Sequence, residues 1–325
     1  MNFLEFKEKY QKTEVVELSS TTPKNPVVSI LVQTYQQKDY IRECLDSIII
    51  QKTTFDFEIL IGEDGSVDGT REICLEYAKK YPGKIRLFLH HRENQIKVLG
   101  EATSNFNAFY NFYSAKGNYI AFCEGDDKWG DSLKLQKQVD FLEANKHFAF
   151  SYHEFKTIDE SGGKLTGILE TGQPLTDLSK KDLSELRFHP LLVTICFKRD
   201  RIQIPEEIFQ VLNIDTFLLS LFGKVGSAKF QNNVLPSLYR FRKDGLWSKK
   251  LRNKKILSKI HTYRCLSSYY GKTQNRVLHI HFFRQMNLYY KMLILLYLKN
   301  KQILLAGRTV IEFQKVKFLR KNENF

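Results

Sequence analysis

Asn118-Tyr119-Ile120-Ala121-Phe122-Cys123-Glu124-Gly125-Asp126-Asp127 is the stretch on which the fold turns. Its first six residues form a short apolar run of strand-prone side chains, which reads as a buried strand. That strand runs straight into three carboxylates within four residues. Neighbouring carboxylates at a strand end raise each other's pKa and are costly to hold together. A divalent cation relieves the repulsion, and hard oxygen ligands with room left for phosphate oxygens suit Mg²⁺ or Mn²⁺. Taken alone, Asp126 and Asp127 also fit a blander role as the cap of a following helix.

Upstream, the same strand-then-helix alternation recurs. Residues 27–34, Val-Val-Ser-Ile-Leu-Val-Gln-Thr, follow Pro23 and Pro26 and read as a buried strand. Tyr40–Gln51 carries Ile41, Leu45, Ile48 and Ile49 at helical spacing. Phe57–Gly62 is a second strand, ending in Glu63-Asp64-Gly65-Ser66, and Thr70–Tyr81 is a helix closed by Pro82-Gly83. Lys84–His90 is a third strand and Ser104–Ala115 an amphipathic helix. Regular alternation of this kind predicts a parallel α/β sheet with ligands at the carboxyl ends of its strands, where Asp64, Asp68 and the Asp126-Asp127 pair fall.

Beyond residue 135 the pattern loosens. Leu135–Ala144 reads as helix, Phe148–Ile158 as strand, Asp159–Pro174 as a glycine-containing loop, and Phe188–Phe197 and Ile214–Phe222 as helical pieces. From Trp247 the sequence is helical throughout, in segments 251–270, 274–299 and 302–319. No internal repeat or low-complexity tract is present.

The charge is unevenly placed. Residues 249–325 hold 18 of the 50 Lys and Arg against two acids, a net +16, while the preceding 248 residues hold 32 basic and 34 acidic side chains, a net −2. A near-neutral body with a basic tail predicts contact with an anionic surface and argues against nucleic acid. The five cysteines are scattered and never spaced as CxxC, so reduced thiols of a cytosolic protein are expected. No signal-type segment opens the chain, and no apolar run reaches the length of a membrane span. The eight histidines show no metal-ligand spacing.

Three segments in register resemble the family 2 glycosyltransferases of GT-A fold: Val28–Tyr35, Glu58–Thr70 and Ala115–Trp129. The likeness covers about residues 27–145 and extends more loosely to 248. It implies a Rossmann-like, mostly parallel sheet flanked by helices, followed by a basic helical C-terminal region. The expected organisation is a catalytic domain over 1–248, with a nucleotide-sugar-binding half (27–130) and an acceptor half (131–248), and a separate region over 249–325.

By that resemblance Thr34, Tyr35 and Asp64 line the nucleobase pocket, Asp64 accepting from a pyrimidine ring N–H and Tyr35 stacking on the base. Asp127 is the metal ligand, with Asp126 at the ribose or metal, and Glu124 stands where the family's acidic motif more often has Asp. The family inverts configuration, which requires a base for the acceptor hydroxyl, and Asp215 in Asn213-Ile214-Asp215-Thr216-Phe217 matches that position. The residues themselves leave Asp215 open as a helix N-cap. Tyr239-Arg240-Phe241-Arg242 resembles a segment that often reads Tyr-Arg-x-His. A guanidinium cannot ligate a metal, so Arg240 and Arg242 are read either as cations for the departing diphosphate or as surface charges.

The function so implied is transfer of a sugar from a nucleotide-diphosphate donor, UDP-linked by preference, to a glycan or lipid-linked hydroxyl in cell-surface polysaccharide synthesis. A non-catalytic nucleotide-sugar binder or scaffold on the same fold is the alternative. The tail is read as a peripheral attachment to the inner face of the membrane, or as helices packed on the catalytic domain or on a second subunit.

Overall fold

The structure is a computed structural model that describes residues 1–165, 173–245 and 247–322. The chain divides into two compact units, Met1–Glu206 with Leu218–Arg242, and Glu207–Phe217 with Lys243–Phe325.

The first unit is built on an eight-stranded sheet. Its central strands, Ile85–Leu89, Phe57–Glu63, Val28–Thr34 and Tyr119–Phe122, lie side by side and parallel, in that spatial order. Each is buried over nearly its whole length, which is why the sequence shows continuous apolar runs there in place of alternation. The helices Ile41–Ile49, Thr70–Lys80 and Asn105–Ser114 are the crossovers that parallel pairing requires. Ile41, Cys44, Leu45 and Ile48 face the core together with Ile30, Val32, Ile59 and Ile61.

The helix Asn105–Ser114 lies against the sheet through polar side chains. Asn107 Nδ2 donates to the Gly62 carbonyl at 2.7 Å, and Asn111 Nδ2 reaches the Val32 and Leu60 carbonyls at 3.3 and 3.2 Å. Gly62 is required beneath it, since a Cβ there would stand 1.8 Å from Asn107 Oδ1.

Two elements differ from the sequence-based expectation. Phe188–Phe197, read as helical, holds only a 3₁₀ turn at Leu192–Thr194, after which Cys196–Lys198 enters the sheet antiparallel between Tyr119–Phe122 and Phe148–Tyr152. Its fully buried Cys196 and Phe197 satisfy a gap in the sheet that local periodicity does not reveal. Phe148–Ile158, read as one strand, is two, Phe148–Tyr152 and Phe155–Ile158, the latter paired with Ser237–Arg240 in a separate ribbon. The sheet is therefore mostly parallel with an antiparallel insertion. Residues 166–172 of the loop expected at 159–174 lie outside the described residues.

The second unit is helical: Arg252–Lys272, Arg276–Lys299 and Ile303–Asn322, together with the start of the helix Ile214–Val225. Tyr263, Tyr270 and Phe282 stack inside it, and Tyr290 stacks on Phe313 at 5.1 Å.

Candidate active site

Three adjacent parallel strands deliver the candidate residues to one edge of the sheet. Val28–Thr34 ends at Tyr35, Phe57–Glu63 ends at Asp64, and Tyr119–Phe122 ends at the acidic stretch. Backbone bonds hold these ends together: Asp64 N donates to the Thr34 carbonyl at 3.1 Å, and Gly125 N to the Gln33 carbonyl at 3.0 Å.

The acidic stretch is set by its surroundings. Asp127 is buried, and its Oδ1 accepts from the Arg240 backbone N–H at 3.0 Å. Burial pushes its carboxyl well above the usual carboxylate range, and the charges of Asp126 and Glu124 push it further. Asp126 is raised mainly by burial, against which the Arg242 guanidinium, 3.6 Å from its Oδ2, pulls downward. Glu124 is exposed and Asp126 half-buried, so Asp127 is the one of the three acids that the fold buries. Trp129 locks the turn that follows: its indole N–H reaches the Phe122 and Val193 carbonyls at 3.2 and 3.1 Å, and its backbone N–H reaches Ser47 Oγ.

Gly125 lies under two polar side chains, Gln37 and Thr34, whose oxygens would be 2.4 and 2.8 Å from an added Cβ. Those oxygens, Gln37 Oε1 and Thr34 Oγ1, are buried and have no hydrogen-bond partner among the described residues. Orphaned buried acceptors beside a carboxylate pair are what a polar ligand would satisfy.

The place expected for the base contains a residue the sequence reading missed. Arg92, in a 3₁₀ turn after the strand Ile85–Leu89, pairs with the Asp64 carboxylate and places its guanidinium 3.8 Å from the centre of the Tyr35 ring. Asp64 is nevertheless raised to about 6, because burial outweighs Arg92. The only signal for Arg92 in the sequence is a cation just past a strand end, which many surface loops share. Asp68 serves locally, accepting from the Thr70 N–H and hydroxyl and from the Lys38 N–H.

The two expected arginines are placed differently. Arg240 is buried, and its guanidinium is committed to the Asp126, Asp159 and Glu160 carbonyls, to Glu43 and to the face of Tyr40. It clamps the acidic stretch. Arg242 is also near Tyr40, but its guanidinium faces Asp126 and donates to the Gln36 carbonyl at 3.4 Å. Thr34, Tyr35, Asp64, Asp126, Asp127, Arg240 and Arg242 thus all belong to the first unit. Asp215 belongs to the second, in the first turn of Ile214–Val225, where its Oδ1 accepts from the Thr216 N–H at 2.7 Å. The ammonium of Lys259, which donates to Thr216 Oγ1 at 3.4 Å, interacts with the Asp215 charge.

Among the described residues no three His, Cys, Asp or Glu side chains gather into a metal cage. Two adjoining carboxylates with orphaned oxygens nearby still fit Mg²⁺ or Mn²⁺, which are commonly bound by one or two carboxylates plus phosphate oxygens and water.

A mostly parallel sheet with acidic residues at its carboxyl edge and a helical C-terminal region is a GT-A-like architecture. Residues 29–182, a little under half of the chain, match the family described as Glycosyl transferase family 2. An uncharacterized protein of Mycobacterium tuberculosis is 40% identical over 137 residues, 42% of this chain and 37% of its own length. A Bacillus subtilis protein assigned to teichuronic acid biosynthesis, the glycosyltransferase TuaG, is 31% identical over 151 residues, 46% of this chain and 55% of its own. The chain spans about half or less of the length of these curated relatives. Among solved structures, S. aureus TarS in complex with UDP-GlcNAc superposes with a TM-score of 0.51 at 14% identity, over 89% of this chain and 91% of that one. The mannosyltransferase PcManGT of Pyrobaculum calidifontis, in complex with GDP-Man and Mn²⁺, gives 0.50 at 15%, over 98% and 91%. At these identities the likeness is one of fold.

Proposed function

We propose that this protein is an inverting glycosyltransferase that moves a sugar from a nucleoside-diphosphate donor, UDP-linked, to a hydroxyl of a glycan or lipid-linked acceptor. The observation that carries the reading is the pair of a half-buried Asp126 and a buried Asp127 beside the orphaned Thr34 and Gln37 oxygens, on the sheet edge that also bears Asp64. The proposed division of labour keeps residues 1–248 as the catalytic domain.

The base stacks on Tyr35 in place of the Arg92 guanidinium that covers the ring here, with Asp64 accepting from a ring N–H. Asp127 and Asp126 would hold Mg²⁺ or Mn²⁺, which when bound would supply Lewis-acid stabilisation of the leaving diphosphate. Arg242 faces the same charge, and its guanidinium is suited to paired phosphate oxygens. Arg240 is assigned to holding Asp126 and Asp127 in place. Asp215 removes the proton of the acceptor hydroxyl as that oxygen attacks the anomeric carbon and the bond to the diphosphate breaks. The TuaG likeness supports a setting in cell-surface polysaccharide synthesis. The protein would act in the cytoplasm, with its basic C-terminal region against an anionic membrane face.

The test is release of nucleoside diphosphate from a panel of nucleotide sugars with Mn²⁺. We expect turnover with at least one UDP-sugar, and loss of at least about 100-fold on Asp215→Asn with donor binding retained. Failure to bind any nucleotide would remove both this reading and the non-catalytic alternative. Binding without turnover on any acceptor would favour the alternative.

A further inference from the structure

Two helices of the second unit bury one side and leave the other uncovered. In Arg276–Lys299 the side chains of Leu278, Phe282, Met286, Tyr290, Leu293 and Tyr297 are buried. On the opposite side Leu288, Met292, Leu295 and Leu298 are 51, 45, 64 and 50% exposed. At about 100° per residue these four fall within one arc of roughly 120°, and Arg284, Lys291 and Lys299 share it. The helix Ile303–Asn322 repeats the arrangement: Ala306, Thr309 and Phe313 are buried, while Leu304, Arg308, Ile311 and Lys315 follow one another on the exposed side at spacings of four, three and four. No Asp or Glu occurs between residues 276 and 299.

We propose that these two solvent faces are a docking surface for an anionic lipid headgroup layer. Long apolar side chains interleaved with cations on one arc match a bilayer interface, where the former enter the acyl boundary and the latter meet the headgroups. The described helices offer none long and apolar enough to cross a membrane, so the contact is peripheral. A second copy of the chain is the competing occupant. The net +16 of residues 249–325 disfavours it, because self-association through these faces would oppose like charges. The inference deepens the membrane association proposed above from a net charge to a defined surface, and is independent of the sugar transferred.

The test is co-sedimentation of the full chain with phosphatidylcholine vesicles, with and without phosphatidylglycerol. Binding is expected only with phosphatidylglycerol, weakening as salt rises. The variant Leu288→Glu/Met292→Glu/Leu295→Glu should lose more than about 100-fold of that binding, since each site exchanges apolar contact for repulsion. Lys291→Gln alone should lose roughly fivefold. All four residues are exposed, so the circular dichroism and donor hydrolysis of these variants should match the parent. Phosphatidylglycerol binding that survives the triple substitution would overturn the assigned surface while leaving the membrane reading in place. Absence of binding to either vesicle would overturn both. Concentration-dependent dimerisation abolished by the same substitutions, with no vesicle binding, would make the face a contact between copies.

Discussion

The proposed base contact requires Asp64 ionised, while its surroundings favour the neutral acid. Its carboxyl is raised from an ordinary 3.8 to about 6, mainly by burial, with Arg92 pulling the other way. An acid whose folded pKa lies above its unfolded value destabilises the fold where it must ionise, so its unfavourable contribution grows as pH rises from about 4 to 6 and is fully present above. A ring N–H bonds the carboxylate more strongly than the protonated acid, so donor affinity runs the opposite way. Nucleotide binding is expected to fall by up to about tenfold per pH unit below 6, measurable by titration calorimetry between pH 5 and 8. Asp64→Asn should flatten that profile and weaken binding by at least about tenfold. A parent profile already flat across pH 6 would remove Asp64 from base recognition. The acids of this site were legible in the sequence because strand ends and carboxylates both leave local marks. Arg92 and the clamp made by Arg240 were not, because each depends on contacts with residues far along the chain, Asp64 and Tyr35 for one, Asp126 and Glu43 for the other.

At the scale of elements, the helix Asn105–Ser114 and the strand Phe57–Glu63 approach so closely that no side chain fits at Gly62. A methyl group there would displace Asn107, whose amide bonds the Gly62 carbonyl at 2.7 Å, and would crowd Asn111 as well. Gly62→Ala should therefore cost about 2 kcal/mol or more in urea unfolding through overpacking and a strained buried hydrogen bond. A variant as stable as the parent would mean that the helix moves freely on the sheet. The central strands were readable because burial on both faces writes an uninterrupted apolar run. Cys196–Lys198 was not: its three residues carry no period, and only the antiparallel gap beside Tyr119–Phe122 gives them strand geometry. The N-terminal helix Phe3–Tyr10 escaped notice for a related reason. It is short, started by the capping box of Asn2 and Glu5, and held by Phe6 packed on Phe106 and Tyr113.

At the scale of the molecule, the buried acids of the first unit make its stability depend on what binds there. Asp126 and Asp127 are both raised by burial, so ionising the pair is unfavourable in the ligand-free fold. A nucleoside diphosphate with Mn²⁺, present at a hundred times its Kd, should add about 2.7 kcal/mol to the unfolding free energy of the unit that binds it. Asp127→Asn removes one buried charge while keeping an acceptor for the Arg240 N–H, so the ligand-free protein should be as stable as the parent or more so, while the ligand-induced shift is lost. Scanning calorimetry of parent and variant, each with and without ligand, reads both effects. Including nucleotide without metal makes the comparison sharper. A shift that requires Mn²⁺ supports the cation on the carboxylate pair, whereas an equal shift without it transfers neutralisation of the diphosphate to Arg242. That second outcome would leave Asp126 acting chiefly as the carboxylate that holds Arg242 in position.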